Sequence, residues 1–492
     1  MAILVLPAIL AGIALLLFLP TVQEPLFLIL FTTLTAALIA VWYWSWRQNG
    51  YDWFAPLPVI CYGFALYGLS VPTSMLFDIP LVDFRYMPGH IGAAAIKTLF
   101  LYNISFLTLL VGYFVGTRQK MVRRSSASPT DWNYHRLIIA SAILVGSGLL
   151  LFGIFLYRIG GVSFYLSLPY DEAMGLHYGL GYLVAGWVLL QLGLVLLFHL
   201  AVHLRSYRFK VAFLGLTVPY AVFAILSGRR ILLVTLGFGC VVGYHYLVRR
   251  IRFRSLLLVA VPFFLMLIFV RVSRFYPGVD LGGKLSLAYE AVSTADPTHL
   301  SPANLEFGSA FFLTQDIIDH VDSKGDYWNG RSYVQGILNV IPSFIYEGRP
   351  MALDEWYVSS FYRFMWYSGG SFGFSPLAEG YINFGWVGPI PFFFVLGLGM
   401  GSFWAFFKSL PSISPPLVFL YSISIWFGIF FHRVTMEWLF KSAFIITILP
   451  AILAVLWAGR NLRGASRVPV AKPVRSVVGA DKGTLAIARG KR

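Results

Sequence analysis

Apolar runs of 18 or more residues recur along almost the whole chain, and each is long enough to cross a hydrocarbon core of about 30 Å. In lipid every backbone N–H and C=O needs an internal partner, so such a chain folds as a bundle of spanning helices. The bulk figures agree: 58% of the 492 residues are hydrophobic, 12% are charged, and mean hydropathy is +0.75. A soluble domain carries roughly 25% charged residues. The expected fold is therefore all-α, a polytopic transmembrane helix bundle of about 12 spans.

The spans are expected near 2–20, 25–46, 54–77, 91–116, 137–157, 178–203, 211–227, 231–248, 255–272, 376–407, 416–431 and 435–458. The first lacks a basic flank and a small-residue cleavage site, so it reads as a retained span and not as a signal peptide. Pro219 and Pro262 fall inside spans, where neighbouring helices re-satisfy the backbone. The expected organisation is a bundle over 1–272, a long partly helical loop over 273–375, three further spans over 376–458, and a basic disordered tail over 459–492.

The net charge of +16 suits lysines and arginines that retain loops on the cytoplasmic side better than it suits nucleic acid. Alternate loops and the tail, from Arg47 through Arg249 and Arg250 to Arg492, hold 23 of the 37 basic residues and only Asp52, Asp131 and Asp481 of the 21 acidic ones. This places both termini in the cytoplasm and the 273–375 loop outside. Cys61 and Cys240 lie in different spans without metal-ligand spacing and read as small buried hydrophobes.

The outer loop carries helical patterns at Leu285 to Ser293 and Phe311 to Val321, then the aromatic-rich stretches Tyr327 to Pro350 and Asp354 to Pro376. Its aromatic faces suit either the membrane interface or sugar rings. Several arginines sit at outer span ends: Arg229 and Arg230 in the Ser227-Gly228-Arg229-Arg230 break, then Arg271, Arg274 and Arg433. A guanidinium fork matches phosphate and stays charged near lipid, so these five are candidates for one anion site. Snorkelling to headgroups is the competing reading. Glu379 and His432 are candidate proton acceptors, although Glu379 also suits a helix N-terminus. Glu437 reads as a partner of His432, Arg433 or Lys441, while Glu347, Asp354 and Glu355 read as solvated. Asp316, Asp319 and Asp322 read as an exposed helix face and not as a metal motif.

The SGRR break, the long outer loop, an Ile-Pro stretch at Pro342 and the segment SGG…SPLAEGYINFGWVG together resemble the bacterial oligosaccharide repeat-unit polymerases, the Wzy-type O-antigen and capsule polymerases. The resemblance runs roughly from Val211 to Leu398. That family's Ile-Pro segment often has arginine directly after proline, whereas Pro342 here precedes Ser343 and the next arginine is Arg349.

The resemblance implies a GT-C-like glycosyltransferase at the periplasmic face of the bacterial inner membrane. Such an enzyme moves a chain from undecaprenyl diphosphate to the next lipid-linked repeat unit, without metal or other cofactor. It implies Glu379 or His432 as base, Arg229, Arg230, Arg271, Arg274 and Arg433 on the lipid diphosphate, and Tyr381, Asn383 and Arg331 on the saccharide. Implied partners are undecaprenyl-diphosphate-linked oligosaccharides, the bilayer, a chain-length regulator and a flippase, with no nucleic acid. An O-antigen ligase, a polysaccharide or lipid transporter and a non-catalytic scaffold remain open.

Overall fold

The computed structural model describes residues 25–81, 91–118, 132–177, 180–275, 281–294, 301–305, 307–342, 345–367, 372–410 and 413–459. The expected first span and the basic tail lie outside these residues. Among the described residues, eleven helices are long and apolar enough to cross a membrane, and the chain is a multi-pass membrane protein. They are α1 Pro25–Gln48, α2 Pro56–Leu76, α3 Ala93–Arg118, α4 Tyr134–Arg158, α5 Gly181–His203, α6 Tyr207–Leu226, α7 Arg230–Leu247, α8 Phe253–Arg271, α9 Pro389–Ser409, α10 Pro415–Arg433 and α11 Met436–Trp457. All secondary structure among the described residues is helical.

One expected span needs correction. The segment read as 376–407 is two helices, Pro376–Phe384 and α9. Gly385, with φ +59°, ends the first, and Pro389 opens the second. Gly380 and Gly388 meet so closely that a Cβ on Gly388 would lie 1.8 Å from the Gly380 carbonyl oxygen. The chain folds back on itself at that contact, and the short helix is buried beneath the outer loop instead of starting a span.

Two apolar cores share α10. Val418, Tyr421 and Ile425 face a core built with α1, α2, α3 and α9, while Phe419 and Ile423 face one built with α4, α5, α7 and α11. The tightest pairing is α3 against α9, and its cause is glycine spacing. A Cβ on Gly112 would lie 2.2 Å from the Phe394 oxygen, and one on Gly116 would lie 2.4 Å from the Leu398 oxygen. The return contacts match: 2.1 Å from Gly397 to the Leu109 oxygen and 2.2 Å from Gly401 to the Tyr113 oxygen. Four-residue glycine spacing on both helices brings their backbones into direct contact, the small-residue device of membrane helix pairs. Cys61 and Cys240 are unpaired thiols on α2 and α7.

Loop contacts sort the helix ends into two faces. On the basic face, Arg250 donates to the Gly50 carbonyl, Lys408 to Asn49, and Arg136 to the Trp457 carbonyl. Its sole described acid, Asp52, is 2% exposed and accepts from Phe54 N–H at 2.9 Å and Tyr246 Oη at 2.7 Å. His245 Nε2 lies 3.2 Å from Asp52. The Ile251 N–H donates to His245 Nδ1, so Nε2, on the Asp52 side, carries the ring hydrogen. On the opposite face, Arg271 donates to the Asn304 carbonyl, Asn304 to the Pro80 carbonyl, and Lys97 pairs with Asp322. The long loop covers this second face with helices Leu281–Ser293, Ser309–Lys324, Arg331–Leu338 and Leu353–Phe361.

Candidate active site

Pro376–Phe384 starts where Ser375 Oγ accepts the Leu377 N–H at 3.2 Å, with proline at its first position. That start carries Glu379 into the interior, where it is 1% exposed. Its two oxygens have separate donors from distant parts of the chain. Ser332 Oγ donates to Oε1 at 2.8 Å, and the Met436 N–H, at the start of α11, donates to Oε2 at 2.8 Å. Asn383, one turn on, donates to Ser332 Oγ and to the Glu379 carbonyl, both at 2.7 Å, and accepts the Gly330 N–H at 2.9 Å. Backbone bonds from Trp328 to Ile382 and from Asn329 to Asn383 complete this stitching of loop to helix.

Burial pushes the Glu379 carboxyl up to about 7, against the opposing pull of the Met436 N–H and the Ser332 hydroxyl; Glu437 and Asp354 push it further. A carboxyl near 7 is balanced between its two protonation states at neutral pH, the match that general-base chemistry calls for. Further ionisable groups surround it. Glu437 accepts from Asn339 Nδ2 at 2.9 Å, and Lys441 lies 5.5 Å from the centre of the Tyr182 ring. The Tyr182 hydroxyl donates to the Val340 carbonyl, tying α5 to the loop. Glu355 does not match its solvated reading. It is half-buried, and burial, with Asp354 beside it, raises it to about 7, while Arg349 pulls it down. Asp354 is half-buried too, whereas Glu347 is exposed as expected.

The raised carboxyl makes stability depend on pH with a definite sign. A glutamate ordinarily at 4.5 that sits at about 7 when folded keeps its proton in a window where the unfolded chain has lost it. Stability therefore falls as pH rises through that window and levels off above it, by on the order of 3 kcal/mol for a fully buried group. The melting temperature of the purified protein is expected to drop between pH 5 and pH 8. Glu379→Gln should remove part of that drop, leaving the share due to Glu355, Glu437 and Asp319, which are also raised. An unchanged slope in the variant contradicts the assignment.

The arginines are placed by different means. Gly228, with φ +70°, lets the chain turn sharply between α6 and α7 while the Arg229 N–H returns to the Ala224 carbonyl at 2.8 Å. Arg229 is 9% exposed, and its guanidinium carbon lies 4.1 Å from the centre of the Trp187 ring. Its Nη2 donates to Tyr165 Oη at 2.6 Å and to His177 Nε2 at 2.5 Å. Burial, and after it the Arg229 charge, lowers His177 to about 2, so the imidazole is a neutral acceptor at any physiological pH. Arg230 is 5% exposed at the start of α7. Arg271 is buried and anchors the Asn304 carbonyl, and Arg433 packs against Gly373. The described contacts of Arg229, Arg271 and Arg433 divide among three segments, where the sequence reading groups them in one anion site. The side chain of Arg274 lies outside the described residues.

No protein-family model, curated protein or solved structure matches this chain significantly.

Of the two candidate bases, only Glu379 sits among polar groups. His432 is fully buried and stacks on Tyr67 and Tyr102, with ring centres at 5.4 and 5.8 Å; neither ring nitrogen has a hydrogen-bond partner among the described residues. It packs as a core ring. The saccharide candidates divide likewise. Tyr381 is 1% exposed and its hydroxyl donates to Asp322 at 2.8 Å, and Asn383 is spent on Ser332, Glu379 and Gly330. Both brace the protein from inside. Arg331 is exposed, 5.4 Å from the centre of the Trp328 ring, and can meet a ligand. Asp316 and Asp322 are not simply a solvated face: Asp316 accepts from Tyr357 and Tyr362, and Asp322 from Tyr381. Sequence reading did not single out Ser332, Asn339, His177 or Trp187. Each acts through a partner 42 or more residues away, and no local signal marks it.

Proposed function

We propose that this chain is a membrane glycosyltransferase that polymerises undecaprenyl-diphosphate-linked oligosaccharide repeat units. In this reading the basic face is cytoplasmic by the positive-inside tendency and the loop face lies in the periplasm of a bacterial inner membrane. The observation that carries the reading is Glu379: a buried carboxyl held by two donors and raised to about 7, beneath a long loop rich in aromatic residues.

In the proposed reaction the ionised Glu379 takes the proton of the acceptor sugar hydroxyl as that oxygen attacks the anomeric carbon. The new glycosidic C–O bond forms as the bond to the diphosphate oxygen breaks. The electron pair leaves with undecaprenyl diphosphate, and one such displacement inverts the anomeric centre. Negative charge grows on the leaving group, and fixed cations stabilise it best when they need no reorganisation. Arg229, held by Trp187, Tyr165 and His177, is already fixed, and Arg230 follows it at the head of α7.

The test is a deletion strain complemented by variants. Deletion is expected to leave single repeat units and no long polymer; loss of ligated single units as well replaces this reading with a ligase. Arg229→Ala and Arg230→Ala should each abolish long polymer while the protein still inserts. Long polymer retained in both variants overturns the proposal.

A further inference from the structure

The basic face holds a concavity of about 420 Å³ lined by Tyr244, Arg249, Arg250, Ile251, Arg252 and Ser255. It lies where α7 ends and α8 begins, and no part of the reaction above uses it. Three observations converge there. First, α8 starts at Phe253, so its opening N–H groups lack helical acceptors, and the first return bond runs from Leu256 to the Arg252 carbonyl at 3.0 Å. Such an end carries partial positive charge and favours an anion.

Second, Arg252 and Arg254 add full positive charges to that end, the wrong sign for the helix dipole unless a counter-anion is present. Among the described residues no acid pairs with Arg249, Arg250 or Arg252, because Asp52 is already engaged by His245 and Tyr246. Arg250 is braced by the Gly50 carbonyl and Arg249 lies 5.9 Å from the centre of the Tyr244 ring, so the cations are held around the cavity.

Third, the helix running away from the cavity presents an unbroken apolar exterior. Leu257, Leu258, Val261 and Leu265 are 47%, 75%, 58% and 44% exposed. A ligand with a charged head and acyl chains fits both parts at once, whereas a free phosphate uses only the first. We propose that this cavity binds the headgroup of an anionic phospholipid, with its acyl chains along the outer side of α8.

Native mass spectrometry of the full-length protein in neutral detergent tests this with phosphatidylglycerol and phosphatidylethanolamine as probes. The wild-type protein is expected to retain phosphatidylglycerol preferentially. Arg249→Gln/Arg252→Gln should weaken that retention about tenfold or more. Arg205→Gln/Arg208→Gln, which removes equal charge elsewhere on the same face, should change it little. The single variants Arg249→Gln and Arg252→Gln, both at exposed positions, serve if the double variant does not elute as folded protein. Equal retention of phosphatidylethanolamine, equal loss in the control pair, or unchanged binding in the cavity variants overturns the proposal. Displacement of the lipid by millimolar inorganic phosphate overturns it too, by identifying a soluble anion as the occupant.

Discussion

Replacing Glu379 by glutamine is expected to lower glycosyl transfer by about 10²–10⁴-fold, the usual worth of a positioned general base. Glutamine has nearly the same volume, and its amide oxygen can still accept one of the two bonds from Ser332 and Met436. What disappears is the capacity to take up a proton. The variant should be as stable as the wild type at pH 8 or more so, because no buried charge has to form. Activity and stability therefore move in different directions, which separates a catalytic role from a structural one. The wild-type rate should rise with pH and level off above about 7, following the Glu379 carboxyl, while the residual rate of the variant stays flat across that range. In vitro polymerisation with purified protein across pH 5 to 9 reads both effects. A near-wild-type rate in Glu379→Gln sinks the assignment. A flat variant profile obtained with Glu355→Gln instead transfers the role to Glu355, the other carboxyl at about 7.

Gly397→Leu and Gly112→Leu should abolish folded protein. Even the first carbon of the new side chain would stand 2.1 or 2.2 Å from a carbonyl oxygen of the facing helix. The obstacle is backbone and cannot rotate away. Overpacking in a well-filled core typically costs 1–3 kcal/mol. Here two helices have to separate, so losses above about 4 kcal/mol are expected. The control lies on the same helix: a Cβ on Gly399 meets nothing within 4 Å, so Gly399→Ala should be tolerated. Detergent-solubilised yield and the size-exclusion profile measure both. A monodisperse, thermally normal Gly397→Leu protein contradicts the described packing.

These positions also show what could be read in advance. The spans were legible because each is a continuous apolar run, and the apparently single run over 376–407 misled for the same reason. Gly385 and Pro389 were the local signals of its break, and the buried Glu379 and Asn383 were its polar exceptions. The spacing Gly112…Gly116 and Gly397…Gly401 was present in the sequence, yet which helices face each other is set by tertiary contact. Glu379 stood out as a carboxylate within apolar sequence. Its donors did not, because Ser332 and Met436 lie 47 and 57 residues away and carry no distinguishing neighbours. The paired arginines were conspicuous at the wrong end of a span, but the rings that confine Arg229 come from residues 165 to 187.

The glycine contact between α3 and α9 has a mechanical counterpart. Those two helices cannot slide or tilt independently, and the Gly380–Gly388 contact attaches the Glu379 helix to the head of α9. On the other flank, only 11% of α6 and 12% of α8 is buried inside the protein. A change in bilayer thickness is accommodated by tilting helices, and loosely packed ones yield first. Arg229 lies three residues beyond the end of α6 and Arg271 ends α8, so these two arginines stand at the ends of the least packed helices, whereas the Glu379 helix is held through glycine contacts.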